Sequence, residues 1–169
     1  MAKIVINAGH TKLGKGTGAV NALNESKETR RIAYTLMGLL AGTNHEIIPA
    51  VFDKSDNNLK DTVDTAKNAD LLISIHLNAG GGNGVEVYTW KGRKLPLAER
   101  ICENINKLGY RNRGVKDGSQ FYVIKNTPPT CEAMIVECCF VDSDEDYKLY
   151  DYEEIAYAIR DAIVKEVKW

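Results

Sequence analysis

Leu71-Leu72-Ile73-Ser74-Ile75 is an apolar run, interrupted by one serine, that leads to His76. Its length and its β-branched content, with Asn68-Ala69-Asp70 before it and a Gly-rich segment after it, predict a buried strand over 70–77. Two other runs share this design. Lys3-Ile4-Val5-Ile6-Asn7-Ala8-Gly9 leads to His10, and Met134-Ile135-Val136 leads to Glu137. Open α/β sheets place their ligand sites beyond the carboxyl ends of the strands. Two histidines and a carboxylate at such ends point to metal-assisted hydrolysis.

Working outward, strands and helices alternate. A strand at 3–8 is followed by a Gly-rich loop and a helix over 25–40, with Ile32, Leu36, Leu39 and Leu40 on its apolar face and Asn24 as N-cap. A strand over 45–51, a polar helix over 59–68 and the strand 70–77 come next. Beyond Gly80-Gly81-Gly82-Asn83-Gly84, Val85-Glu86-Val87-Tyr88 alternates as a strand. A helix over 94–108 buries Leu97, Ile101, Ile105 and Leu108. Gln120 to Ile124 and Ala133 to Glu137 read as strands on either side of Pro128-Pro129, and a last helix over 151–167 buries Ile155, Ile159, Ile163 and Val167. The pattern is α/β, one domain over 1–169 with a twisted, mixed but mostly parallel sheet flanked by helices.

Composition removes several function classes. A hydrophobic fraction of 44% with 27% charged residues is that of a globular domain. A formal net charge of −1 gives no basic face for nucleic acid. No apolar stretch is long enough for a membrane span. The start of the chain lacks the pattern of a signal peptide, so synthesis in the cytoplasm is expected. The four cysteines show no Cys-x-x-Cys spacing and read as reduced thiols.

Three motif matches fail on chemistry. Gly9-x-x-x-x-Gly14-Lys15 imitates a phosphate loop, but Gly16 stands where the magnesium-binding Ser or Thr belongs. Asp142-x-Asp144-x-Asp146 imitates a calcium loop, but Tyr147 occupies the position that requires glycine. Those acids are better explained as caps at a helix start. Cys138 and Cys139 lie beside Glu137, which disfavours a nucleophilic thiolate. His45, in a turn, reads as structural. A pair of imidazoles needs a third ligand to hold zinc with one position open, and His₂Glu is a known catalytic set. Glu25, Glu86 and Glu137 are the acidic candidates, and spacing does not choose among them.

Six segments, in order, do more. Gly9-His10, Glu25 at a helix head, Ser74-Ile75-His76-Leu77-Asn78, Gly84-Val85-Glu86-Val87-Tyr88, Asn112-Arg113-Gly114-Val115-Lys116 and Val136-Glu137 resemble the zinc-dependent N-acetylmuramoyl-L-alanine amidases of bacterial wall hydrolases and phage endolysins. The resemblance covers nearly the whole chain. It implies zinc bound by His10, Glu25 and His76, with Glu137 as the catalytic carboxylate. It also implies cleavage of the amide joining N-acetylmuramic acid to L-alanine in peptidoglycan. Asn78, Glu86 and Arg113 match recurrent positions and would support the ligands or touch substrate.

The chain departs from the family pattern in two places. Cys138-Cys139-Phe140 follows Glu137 where Gly-Phe is common, and alternation would put Cys139 on the face of Glu137. The arginine often found before the Asn-Ala-Asp segment is missing. The expected setting is an endolysin or mother-cell lysis enzyme that reaches the wall after release, a setting compatible with a wall-binding domain outside this chain. A zinc peptidase of the stem peptide and a non-catalytic wall-binding module are the rival readings.

Overall fold

The computed structural model describes residues 1–168; Trp169, the last residue of the expected domain, lies outside the described residues. The elements run β1 (Lys3–Ala8), α1 (Glu25–Leu40), β2 (Glu46–Ala50), α2 (Asn58–Thr65), β3 (Leu71–Asn78), β4 (Val85–Thr89), α3 (Pro96–Asn106), β5 (Asn112–Asp117), α4 (Tyr122–Asn126), β6 (Glu132–Phe140), α5 (Asp144–Leu149) and α6 (Tyr152–Glu166), with a 3₁₀ turn at Trp90–Gly92. The strands form one six-stranded sheet in the order β2-β1-β3-β6-β4-β5. β2, β1, β3 and β6 are mutually parallel, and β4 pairs antiparallel to β6 and parallel to β5. The sheet is therefore mixed and mostly parallel, as the alternation of elements implied.

Each central strand is apolar on both faces because both are covered. Ile4, Ile6, Ile73, Ile75, Met134 and Val136 belong to the main core with α1, α3 and α6, whose Leu36, Ile101, Ile105, Ile155, Ile159 and Ile163 are fully buried. The opposite face carries a smaller cluster, with Val5, Leu72 and Val123 packed among Ala50, Ala66 and Ala69 under α2 and α4. Asn24 caps α1, accepting from Lys27 N at 3.1 Å, as the sequence suggested. The acids of the 142–146 segment are not the caps. Ser143 caps α5 and Asp151 caps α6; Asp144 and Asp146 stand in the first turn of α5, where their charge complements the helix dipole, while Asp142 accepts from Gly80 N and Gly81 N and Asp146 from Gly84 N and Phe140 N.

Three expectations are corrected. Residues 122–126, which overlap the segment 120–124 read as a strand, form helix α4. The strand β5 had not been expected, since it carries only one strongly apolar residue, Val115. Cys139 does not share the face of Glu137. The β3–β6 register shifts so that Asn78 pairs with Phe140, a bulge that turns Cys138 and Cys139 into the main core. All four cysteines are free and buried.

Candidate metal centre and catalytic cavity

The register of the sheet assembles one polar row. His76 pairs with Glu137, and Glu137 pairs with Glu86, so β3, β6 and β4 each present one ionisable side chain at the same level. By the period-two alternation of strands, all three face the α2/α4 side. His10 enters from the loop after β1, and Glu25 from the first residue of α1.

His10 takes a left-handed backbone conformation, φ 67°, uncommon for a residue with a side chain. Its neighbours hold it there. Gly9 N donates to Ile75 O at 2.8 Å, Thr29 Oγ1 donates to Gly9 O at 3.0 Å, and Arg30 Nη2 donates to His10 O at 3.2 Å. Arg30 also ties this loop to Phe52 O and the Asp53 carboxylate.

Glu25, 4% exposed, sits between both imidazoles. Its Oε1 lies 3.1 Å from His10 Nε2 and 3.2 Å from His76 Nδ1. Ala19 N and Leu77 N also donate to this carboxylate, at 2.9 and 3.2 Å. Each imidazole uses its other nitrogen outward. His10 Nδ1 bonds Gly16 O at 3.0 Å, and His76 Nε2 bonds Ser74 Oγ at 3.1 Å, while Ser74 donates to Asn7 Oδ1. Gly16 O can only accept and Ser74 Oγ spends its proton on Asn7, so the outward nitrogens carry protons, which leaves the inward ones, His10 Nε2 and His76 Nδ1, to face Glu25 and to offer their lone pairs to a metal bound there. Partners of this kind fix the tautomers of metal-binding histidines.

The donor atoms of His10, Glu25 and His76 lie within 4.8 Å of one another and could hold a metal ion. The backbone makes room for them. A Cβ on Gly9 would stand 2.5 Å from the His76 ring, and one on Gly18 would stand 2.7 Å from Glu25 Oε2. Only glycine fits at either position without displacing a donor. Two nitrogens and a carboxylate oxygen, with tautomers fixed and space reserved, suit a divalent transition metal.

The electrostatics separate the carboxylates. Burial alone would raise Glu25, but hydrogen bonds and charge from the two histidines outweigh it and hold Glu25 below its usual range. Burial alone would lower His10, but its hydrogen bond to Glu25 and the charge of Glu25 outweigh that and raise it above its ordinary value. For Glu86 the burial penalty is outweighed by Arg113 Nε at 2.7 Å and by the Tyr88 hydroxyl at 2.8 Å, so it too is lowered. Asn78 Nδ2 adds a third donor to Glu86, at 2.7 Å. Glu137 has no such help. Burial, with the charges of Glu25 and Glu86 on either side, pushes it up to about 8, and its Oε2 is buried without a hydrogen-bond partner among the described residues.

His10, Glu25, His76, Asn78 and Glu137 line one cavity of about 320 Å³, walled by Leu59, Phe121 and Tyr122. Glu86 and Arg113 stand behind this lining and reach it through Asn78. The supporting residues Asn7 and Ser74 were not singled out from sequence, although Ser74 lies two residues before His76 and so shares its face.

The N-acetylmuramoyl-L-alanine amidase family profile matches residues 4–168. The chain belongs to this family. It is 35% identical over 155 residues to the N-acetylmuramoyl-L-alanine amidase CwlM of Bacillus licheniformis, covering 86% of this chain and 59% of that protein. Among solved structures, the catalytic domain of the CD27L endolysin targeting Clostridia difficile superposes with a TM-score of 0.86 at 27% identity, covering 98% of each chain. The catalytic domain of the amidase CwlV from Bacillus (Paenibacillus) polymyxa gives 0.84 at 27% identity, covering 99% of this chain and 98% of that one. The chain spans about half the length of the curated relatives it matches. No helix among the described residues is long and apolar enough to cross a membrane.

Proposed function

We propose that this amidase-family protein hydrolyses the amide between N-acetylmuramic acid and L-alanine in peptidoglycan, with zinc held by His10, Glu25 and His76. The observation that carries the reading is the unpartnered Glu137 Oε2 in the same cavity as the His-Glu-His cluster. A zinc ion held by these donors would supply a Lewis acid able to polarise the amide carbonyl and to lower the pKa of water to roughly 7. Glu137 takes the proton of the attacking water and returns it to the departing amine of L-alanine, base first and acid second. A carboxylate already held well above its ordinary range suits both halves of that role. The positive charge at the cluster would draw Glu137 back down, so that its base form is available near neutral pH.

Asn78 lines the cavity and is fixed by Glu86, which Arg113 and Tyr88 hold in turn. In this reading Asn78 offers its amide to the substrate, and Glu86 with Arg113 sets its orientation. Residues 1–168 act as a catalytic domain on the bacterial wall in the manner of an endolysin, a setting supported by the likeness to the CD27L catalytic domain.

The test is digestion of purified peptidoglycan with and without a zinc chelator, scoring new L-alanine amino termini against new reducing ends. Chelator-sensitive release of L-alanine termini is expected. Cleavage that frees other amino termini would mean a stem-peptide peptidase, and an intact wall would mean a binding module.

A further inference from the structure

The chain turns at His10 in a conformation that its side chain disfavours. Among the described residues two non-glycines have positive φ, His10 and Lys91. Lys91 stands in an exposed turn, whereas His10 belongs to the metal cluster. A left-handed turn ordinarily takes glycine, because a Cβ crowds the backbone there. Position 10 supplies an imidazole instead, so its conformation has to be held by other groups.

Arg30 is placed to hold it. The residue is 7% exposed, and its guanidinium joins three separate segments. Nη2 donates to His10 O after β1 at 3.2 Å and to Phe52 O after β2 at 2.8 Å. Nη1 donates to Ser26 O in the first turn of α1 at 2.6 Å, and Nε donates to the Asp53 carboxylate at 3.1 Å. Asp53 O accepts from Lys12 N and Leu13 N, so the segments that meet at the guanidinium are also tied to each other. The planar fork of an arginine carries five donors in fixed directions, whereas a lysine is a single point donor. Charge pairing does not account for the residue, since the Asp53 side chain is 62% exposed and water screens the pair. What the buried guanidinium secures is the position of three carbonyls.

The consequence falls on the imidazole. A Cβ on Gly18 would stand 2.9 Å from the His10 ring, and the His76 ring crosses it with centroids 5.0 Å apart. The ring is packed on both sides, so its direction follows the backbone at residue 10. Relaxing φ to the extended region would swing Nε2 away from Glu25 Oε1, which now lies 3.1 Å from it. Glu25 and Arg30 stand five positions apart on α1, so one helix carries a donor of the cluster and the clamp on another.

Resting on the metal centre of the reading above, and not on which bond is cut, we propose that Arg30 is a positioning residue that holds His10 in its left-handed turn and so aims Nε2 at the metal.

The experiment compares the wild type with Arg30→Lys, which keeps the charge beside Asp53 but not the fork. Zinc affinity is measured by competition with a chromogenic chelator, and ligand geometry by the visible absorption of the cobalt-loaded protein. The φ of His10 is measured by NMR on the metal-free protein. Arg30→Lys is expected to bind zinc about 10–100-fold more weakly, with an altered cobalt spectrum and with His10 relaxed to negative φ. Ile159→Ala, a fully buried position on α6, lowers stability from the far side of the sheet and should change none of the three. A folded Arg30→Lys protein with parental affinity, spectrum and φ would overturn the proposal. Equal shifts in Ile159→Ala, or failure of Arg30→Lys to fold, would make Arg30 a structural residue and overturn it as well. A wild type that takes up neither metal, while Arg30→Lys still relaxes His10, would sink the metal reading and leave the clamp standing. Metal bound by the wild type, with His10 and the affinity unmoved by Arg30→Lys, would do the reverse.

Discussion

The face of the sheet toward α1, α3 and α6 and the face toward α2 and α4 are made by alternate residues of the same strands, yet they are finished differently. Toward the long helices, isoleucine and leucine fill the space completely, and Ile101, Ile105, Ile155, Ile159 and Ile163 have no exposure at all. Toward the short helices, three of the seven buried cluster members are alanine, and the cavity of the His-Glu-His cluster stays open. The contrast extends along single strands. On β3 the residues Ile73 and Ile75 point to the sealed side, while Ser74 and His76 point to the open one. Stability is concentrated on one face, so polar and ionisable groups can be carried on the other at a cost the whole domain tolerates.

If that division holds, substitutions on the open face change chemistry first and stability second. His76→Ala should abolish both metal retention and wall hydrolysis, as measured by metal content after gel filtration and by release of L-alanine termini. Retention of full activity would remove His76 from the metal centre. Glu137→Gln should keep the metal and lower the rate by about 10²–10⁴-fold, the usual loss when proton transfer is removed.

Glu137 also sharpens the comparison through pH. Its carboxyl is raised from 4.5 to about 8 by burial and by Glu25 and Glu86. In metal-free protein the folded state therefore keeps a proton that the unfolded chain loses, and stability falls as pH rises from about 5 to about 8. Glu137→Gln should flatten that fall and raise the melting temperature of metal-free protein at pH 8 but not at pH 4. Parallel melting curves for the two proteins across this range would show that Glu137 is not held neutral.

The sealed face should answer in the opposite way. Ile159→Ala, in the middle of α6, should cost about 2–5 kcal/mol of unfolding free energy as a buried cavity-forming change. Its kcat and KM, measured well below the melting temperature, should stay within twofold of the parent. A large change in KM would mean that the two faces are not independent.

How much of this was legible follows the same line. The central strands announce themselves because both faces are apolar, and the two histidines stand out because each ends such a run. Glu25 was not identifiable from spacing, since it lies on a helix 15 positions after His10 and meets the histidines only through the fold. The resemblance to a family supplied it, and the structure brings it between them. The misread segments belong to the edges and the open face. Phe121-Tyr122-Val123-Ile124 has the composition of a strand, but it follows a turn closed by Phe121 N on Gly118 O. Lys125 N then bonds Phe121 O, and the segment winds into α4. Context overrides β-propensity in so short a piece. Asn112 to Asp117 hides in the other direction, because an edge strand with polar side chains and a glycine carries little of the usual signal. The bulge that turns Cys138 and Cys139 inward leaves no periodic trace either.

One residue joins the two faces and gives the finest test. Helix α1 belongs to the sealed layer, but its first residue is Glu25, whose carboxylate lies between the histidines of the open one. The start of that helix is set by Asn24, whose side chain accepts from Lys27 N. Removing the cap with Asn24→Ala should cost about 1 kcal/mol of stability, the ordinary value for an N-cap. It should also loosen the position of Glu25 and weaken metal affinity by a few-fold, measured by competition with a chromogenic chelator. Asn24→Asp, which keeps an acceptor at the same place, should restore both. If stability falls and metal affinity does not move, the helix start serves the sealed face alone, and Glu25 is positioned by Ala19 N and Leu77 N from the open side.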